Sequence, residues 1–358
     1  MAAARPYDSE NITVLEGLEA VRKRPGMYIG GTDVRGLHHM GLEVIGNSID
    51  QHLLHRATTI SVELTNGWLT VTDDGSGISV EKNESGLSFL EEIFTTLHRT
   101  PTRDGPRAHV HVTRNGFGIG LGPVSALSQR LEVESHRDGL CHRAAFARGV
   151  IVEPLQLVGS SQTQGLRLRL LPDPEIFEKA AFDTEVFAST IRRFAYLSPG
   201  LTWRFQGEDV SKPDGLLTFL TDTADGPLEP GSIGVFATEI DDVEISFAVA
   251  LRRRNRRKKV APITSWVNLT GTGEGGSHVQ GMVAGLADAF GPDWRELEPR
   301  MVGAIHLMLI HPKFEGPTKA KLAVPITEPL VREFVASELS KASDLRVTWM
   351  QLLSRLDE

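Results

Sequence analysis

Leu42-Glu43-Val44-Ile45-Gly46-Asn47-Ser48-Ile49-Asp50-Gln51 carries two patterns in one register. Leu42, Ile45, Ile49 and then Leu53 fall within a narrow band at about 100° per residue, the stripe of a helix turned to a core. The same spacing extends over residues 37–55. Glu43, Asn47 and Asp50, at i, i+4 and i+7, share a second stripe about 90° from the first, at the core boundary. A carboxylate and a carboxamide one turn apart can serve as general base and hard-metal ligand. An ordinary polar helix face has the same spacing.

Downstream, residues 60–64 and 69–72 alternate as strands around Thr65-Asn66-Gly67, a strong hairpin signal. Asp73-Asp74-Gly75-Ser76-Gly77-Ile78 follows at the strand end. Two glycines in three residues allow close approach to a ligand, and a fixed carboxylate can accept from an exocyclic amine. An acidic turn reads the same way. Helical character is predicted over 87–97. The polar stretch 99–114, with Arg99, Arg103, Arg107 and Arg114, is a candidate lid. Asn115-Gly116-Phe117-Gly118-Ile119-Gly120-Leu121-Gly122 then leads into a predicted helix at 124–129. Such a loop exposes backbone N–H groups to an anion. It is neither a Walker A loop nor a framed dinucleotide fingerprint.

Strands are predicted at 131–135, 144–146 and 166–171, and helices at 183–197 and 215–221. The Asp-, Gly- and Pro-rich stretch 222–231 is the best domain boundary. Beyond it, strands at 244–251, 263–269 and 301–310 alternate with helices at 281–290 and 328–341, which suggests two α+β sandwich layers. His311-Pro312-Lys313-Phe314-Glu315-Gly316-Pro317-Thr318-Lys319 follows the third strand, and a lysine there could reach a terminal phosphate. Arg252-Arg-Arg-Asn-Arg-Arg-Lys-Lys259 holds seven basic residues in eight, a candidate contact for DNA or an acidic protein.

The 358 residues suggest two domains, and 40% apolar with 23% charged residues is globular rather than disordered. A net charge of −8 argues against coating nucleic acid by bulk charge. The single cysteine, Cys141, excludes a disulfide framework and a cysteine-based zinc cluster. No apolar run approaches a membrane span, and the N-terminus lacks a signal-peptide core, so a cytoplasmic protein is expected.

These motifs resemble, in order and spacing, the N-terminal ATPase region of DNA gyrase B and its topoisomerase IV counterpart. The likeness begins at Val14-Leu-Glu-Gly-Leu-Glu-Ala-Val-Arg-Lys-Arg-Pro-Gly-Met-Tyr-Ile-Gly30 and runs through Gly36-Leu-His-His-Met, the Glu43/Asn47/Asp50 helix, residues 73–78 and 124–128. It resumes at Gly275-Gly-Ser-His278 and residues 312–321. The resemblance implies a two-layer α/β sandwich ATPase domain of gyrase/Hsp90 type at 17–222, behind a dimerisation arm at 1–16. A smaller α/β transducer at 230–358 follows. It further implies ATP and Mg²⁺, slow hydrolysis, and a homodimer that closes on ATP. Glu43 would activate water, Asn47 would hold Mg²⁺, and Lys319 would contact the γ-phosphate. Asp73 would bind adenine in a pocket shaped by Gly75 and Gly77. Asp50, Ile78, Asn115, Gly116, Phe117, Gly118, Ile119 and Gly120 join the nucleotide site, with Arg137 at its rim. Tyr7 and Ile12 belong to the crossing arm.

The sequence departs from that pattern in several places. Gly46 stands for an Asp, Gln51 for a Glu, Ser76 for an Arg, Leu166 for a pocket Thr, Pro317 for a Gln and Asn115 for a lid Gly. The Gln51 and Ser76 changes go together, replacing an ion pair by neutral groups. The chain would be either a fragment of a longer enzyme or, the favoured expectation, a stand-alone, divergent relative; it lacks the metal-binding and cleavage parts, so no strand passage is expected from this chain alone. Two alternatives are a recruited relative that uses ATP for other chemistry, self-resistance or regulation, and a nucleotide-gated dimerisation protein without turnover.

Overall fold

Asp33 starts the helix that organises the first half of the chain. Its side chain accepts from the backbone N–H groups of Arg35 and Gly36, satisfying two of the donors that a helix start leaves open. The computed structural model describes residues 17–97, 119–253, 263–310, 312–316 and 318–354. Two compact units divide them. The first holds the described residues within Met1–Arg103, Ile119–Phe187 and Phe205–Gly207; the second holds those within Ala188–Arg204 and Glu208–Glu358.

In chain order the elements begin with α1 (Gly17–Lys23), α2 (Gly26–Ile29), α3 (Val34–Leu53), β1 (Thr59–Thr65), β2 (Trp68–Asp73), α4 (Phe89–Thr95) and α5 (Leu121–Ala126). β3 (Ser128–Arg137), β4 (Leu140–Ala147), β5 (Val150–Ser160) and β6 (Gly165–Pro172) follow, then α6 (Thr184–Leu197), β7 (Thr202–Phe205), β8 (Glu208–Asp209) and α7 (Leu216–Thr223). An eight-stranded sheet has the order β5-β4-β3-β6-β2-β1-β7-β8. β1 and β2 are joined through Asn66 and Gly67, with φ of 52° and 82°, the left-handed pair that a two-residue hairpin needs. α3 packs on β1 and β2. Every second residue of β2 is buried: Leu69, Val71 and Asp73. The opposite sheet face carries an Arg/Glu ladder, in which Glu132 holds Arg130, Arg143 and Arg169 at 2.9, 3.6 and 3.1 Å.

The second block contains β9 (Gly234–Ile240), β10 (Val243–Leu251), β11 (Ile263–Val267), β12 (Thr270–Gly271), α8 (Ser277–Phe290), α9 (Trp294–Leu297) and β13 (Met301–Met308). After these come β14 (Phe314–Glu315), β15 (Lys321–Leu322), α10 (Thr327–Lys341) and α11 (Ser343–Ser354). The five-stranded sheet runs β12-β11-β13-β10-β9, and all eight residues of β13 are buried. α8 and α10 pack tightly together, and Phe290 stacks on Trp349 of α11 at 5.0 Å. No helix among the described residues is long and apolar enough to cross a membrane.

The α/β class expected from the sequence is the one observed. Several local expectations change. The helix predicted at 124–129 spans Leu121–Ala126 instead, and Gln129 lies in β3. Ser128 Oγ donates to the Val124 carbonyl at 2.7 Å as the strand begins. α3 is buried far beyond one stripe: Glu43 and Asp50 are 6% and 4% exposed, inside the core rather than at its boundary. β10 and β11 both pair with β13, antiparallel and parallel respectively, so they lie on either side of it.

Candidate functional site

α3 presents Glu43, Asn47 and Ser48 in just over one turn. The Glu43 carboxylate is buried; its Oε1 lies 3.5 Å from His39 Nε2, and its Oε2 has no hydrogen-bond partner. A buried acceptor left open typically costs about 1–3 kcal/mol, so such an atom calls for a functional reason. His39 is oriented in turn by the Ile29 carbonyl, 3.3 Å from Nδ1. Asn47, half-buried, donates Nδ2 to the Glu43 carbonyl at 2.8 Å, which directs its amide oxygen the other way.

Ser48 ties the helix to the strand end. Its hydroxyl donates to Asp73 Oδ2 at 2.6 Å, and the Gly75 N–H donates to Oδ1 at 3.0 Å. Burial still pushes the Asp73 carboxyl above the ordinary aspartate value, against these hydrogen bonds. In register, Asp73 of β2 stands beside Leu166 of β6, which stands beside Ser135 of β3. Gly165 is forced: a Cβ there would sit 1.9 Å from the Asp73 carbonyl oxygen. Ser135 fixes the loop beyond Asp73, accepting from the Ile78 N–H at 2.9 Å and donating to the Ile78 carbonyl at 2.8 Å. Gly77 adopts φ +65° against the Ser135 hydroxyl. Gln51 and Ser76 are in direct contact, with Ser76 Oγ donating to Gln51 Oε1 at 2.8 Å. The neighbouring Asp74 serves the strand instead, accepting from the N–H groups of Thr58 and Thr59.

The structure thus brings Glu43, Asn47, Asp50, Asp73, Gly75, Gly77 and Ile78 onto α3, the end of β2 and the loop after it. Gly120 immediately precedes α5, after Ile119. Arg137 ends β3, half-exposed and 3.3 Å from Asp138. Lys319 belongs to the second unit, between β14 and β15, with φ +55° and Nζ 5.7 Å from the centre of the Phe314 ring. Tyr7, Ile12, the lid stretch 99–114, Asn115, Gly116, Phe117, Gly118, Pro317 and the basic residues 254–259 lie outside the described residues. Sequence reasoning missed three supporting groups: His39, Ser48 and Ser135. Ser48 adjoins Asn47 in the chain, but nothing local marks it as the partner of a residue 25 positions away.

Among the described residues no three His, Cys, Asp or Glu side chains are grouped to hold a metal. The Asn47 amide oxygen is a hard donor that suits Mg²⁺, an ion that keeps waters and takes substrate phosphates as further ligands.

Residues 32–173 match the family described as histidine kinase-, DNA gyrase B-, and HSP90-like ATPase. DNA gyrase B of Campylobacter jejuni is 33% identical over 94% of this chain and 46% of its own length. The B chain of DNA topoisomerase 4 of Mycoplasma genitalium is 31% identical over 92% of this chain and 55% of its own length. This chain therefore spans about half the length of these relatives. The crystal structure of the 43K ATPase domain of Thermus thermophilus gyrase B, in complex with an aminocoumarin, superposes with a TM-score of 0.80 and 29% identity. It covers 95% of this chain and 94% of that one.

Proposed function

For a chain that is like the N-terminal ATPase part of gyrase B, with a histidine kinase-, DNA gyrase B- and HSP90-like ATPase domain at 32–173, we propose slow, Mg²⁺-dependent ATP hydrolysis by a cytoplasmic homodimer. The carrying observation is that one helix, α3, supplies a buried carboxylate with an open oxygen (Glu43), a hard amide ligand (Asn47) and the hydroxyl that braces Asp73.

In this reading Asp73 accepts the exocyclic amine of adenine within the loop that Gly75, Gly77 and Ser135 shape. Glu43 takes a proton from the attacking water, while His39 holds its other oxygen. Asn47 helps to hold Mg²⁺, which when bound neutralises charge on the nucleotide phosphates. Lys319 supplies a cation to the terminal phosphate; the lid through Gly120 encloses the phosphates, and Arg137 stands at the rim. Such positioning and charge neutralisation suit phosphoryl transfer. The proposed organisation is an arm at 1–16 with Tyr7, an ATP-binding domain at 17–222 and a transducer at 230–358.

The test is turnover of ATP with Mg²⁺ over a range of protein concentrations, with every nucleotide product resolved. ADP and phosphate are expected, rising more than linearly with protein. Glu43→Gln should lower the rate by about 10²–10⁴, the usual worth of a general base, while leaving nucleotide binding intact. A different product, or hydrolysis that survives Glu43→Gln, overturns the assignment.

A further inference from the structure

Lys319 stands in a left-handed backbone conformation, φ +55°, which a lysine rarely adopts unless its surroundings impose it. The residues that follow it are held by the turn before α8. The Glu274 N–H donates to the Ala320 carbonyl at 2.9 Å, and the Leu322 N–H donates to the Gly275 carbonyl at 3.0 Å. Gly276 and Leu322 form a parallel bridge, so close that a Cβ on Gly276 would lie 2.4 Å from the Leu322 carbonyl oxygen. The residues before Lys319 are tied in by β14, whose Phe314 and Glu315 pair with Leu322 and Lys321 of β15.

Where this loop runs into α10, side chains fasten it. The Val324 carbonyl accepts the Thr327 N–H at 3.0 Å and lies 2.8 Å from the Thr327 hydroxyl and 2.9 Å from that of Ser277. The two hydroxyls are 2.8 Å apart, and both residues are buried. Ser277 opens α8 and Thr327 opens α10, yet neither helix has a side-chain cap. Each of these hydroxyls is spent on the loop instead. The helices do not need this polar contact to stay together, since they already approach through Gly281 and Gly285. A fully paired buried polar group adds modest net stability but specifies one geometry.

We propose, on the reading of Lys319 as the cation at the terminal phosphate, that Ser277 and Thr327 are its positioning residues. By holding the Val324 carbonyl they fix where the loop enters α10, while residues 274–276 fix the stretch next to the lysine. A cation set in place beforehand stabilises developing charge without reorganisation, and a loop that drifts loses that advantage.

The test compares Ser277→Ala/Thr327→Val, which removes both hydroxyls, with Thr327→Ser, which keeps them and loses a buried methyl group. Ser277→Ala alone takes the place of the double variant if that one does not fold. Without nucleotide, trypsin cleavage of the native chain after Lys319 and Lys321, mapped by mass spectrometry, should run severalfold faster in the double variant than in wild type or Thr327→Ser. Cuts elsewhere should keep their rates. With ATP and Mg²⁺ the double variant should lose about tenfold in kcat at unchanged KM, within the about 10²-fold that a 1 Å misplacement costs. Lys319→Ala should lose at least as much. Adding it to the double variant should cost no more than Lys319→Ala alone, because hydroxyls that act through the lysine then have nothing to position. Unchanged cleavage or kcat in the double variant, an equal kcat loss in Thr327→Ser, or losses that multiply with Lys319→Ala overturn the proposal alone. An undiminished kcat in Lys319→Ala overturns the phosphate role of the lysine, and the positioning role with it.

Discussion

Glu43 and Asp73 are both buried carboxylates, yet their surroundings prepare them for different work. Glu43 keeps one oxygen open, whereas each Asp73 oxygen already accepts a hydrogen bond, from Ser48 or from Gly75. Burial raises the Asp73 carboxyl above its ordinary value, so the fold takes up a proton there at a higher pH than the unfolded chain does. At this residue stability is gained as pH falls through the raised pKa and lost as pH rises through it. Adenine recognition needs the ionised form and has the opposite dependence. Nucleotide affinity, measured by calorimetry from pH 8 downward, should therefore fall as Asp73 protonates. Ser48→Ala removes a bond to the carboxylate and should move that fall to higher pH. At neutral pH the same change should cost about 1–3 kcal/mol of stability, because a buried acceptor loses its partner. An affinity profile identical in wild type and Ser48→Ala would show that Asp73 does not read the nucleotide through this contact. The Gln51/Ser76 contact makes a second residue-scale test. Gln51→Glu and Ser76→Arg together should restore an ion pair and couple favourably in a double-mutant cycle, where additive effects would show that the two side chains act separately.

At the scale of elements, α8 and α10 approach through glycine. A Cβ on Gly281 would lie 2.4 Å from the Glu328 carbonyl oxygen, and one on Gly285 would lie 2.6 Å from that of Arg332. Both obstacles are backbone, so a methyl group forces the helices apart. Gly281→Ala and Gly285→Ala should each destabilise by about 1–3 kcal/mol despite the better helix propensity of alanine. Equilibrium urea unfolding checks this, and a neutral or stabilising result would mean that the crossing is looser than its geometry. Gly281 and Gly285 were legible only as part of a helix, since their one-turn spacing does not say what they face. The β1–β2 hairpin was legible because Asn66-Gly67 states its own backbone geometry, and β13 because a strand buried on both faces is written as a nearly continuous apolar run, here interrupted only by His306. β5 was not read as a strand. It is a sheet edge, with Val150, Val152, Leu157 and Val158 exposed and Pro154 in its middle, so no clean alternation marks it. β9, one edge of the other sheet, was not read as a strand either. In the site, Glu43, Asn47 and Asp73 stood out by spacing and by resemblance. His39, Ser48 and Ser135 did not, because their roles depend on contacts that only the fold creates.

For the whole molecule, acid should act unequally on the two units. His278 of the second unit is fully buried, with Nε2 3.1 Å from Thr272 Oγ1 and no partner for Nδ1. Burial first, and the nearby His306 second, lower its pKa to about 4 from the ordinary 6.5. The folded chain therefore keeps His278 neutral at pH values where the unfolded chain binds a proton. Its contribution is complete above about pH 6.5, declines as pH falls through the window and is exhausted near pH 4, a loss of about 3 kcal/mol at most. His38 of the first unit is shifted the same way by burial, partly opposed by Asp183, so a global probe would mix the two histidines. Tryptophan fluorescence separates them. Trp203, Trp266, Trp294 and Trp349 belong to the second unit, whereas Trp68 alone reports from the first. Urea unfolding followed by tryptophan emission should show the midpoint dropping between pH 6.5 and 4.5, and His278→Gln should flatten most of that drop. The carboxylates whose pKa values lie below the ordinary range, Asp173 among them, lose their contribution at still lower pH and leave the window clear. If His278→Gln keeps the full acid dependence, the proton is taken up elsewhere in the second unit, and the buried imidazole is not what makes it acid-sensitive.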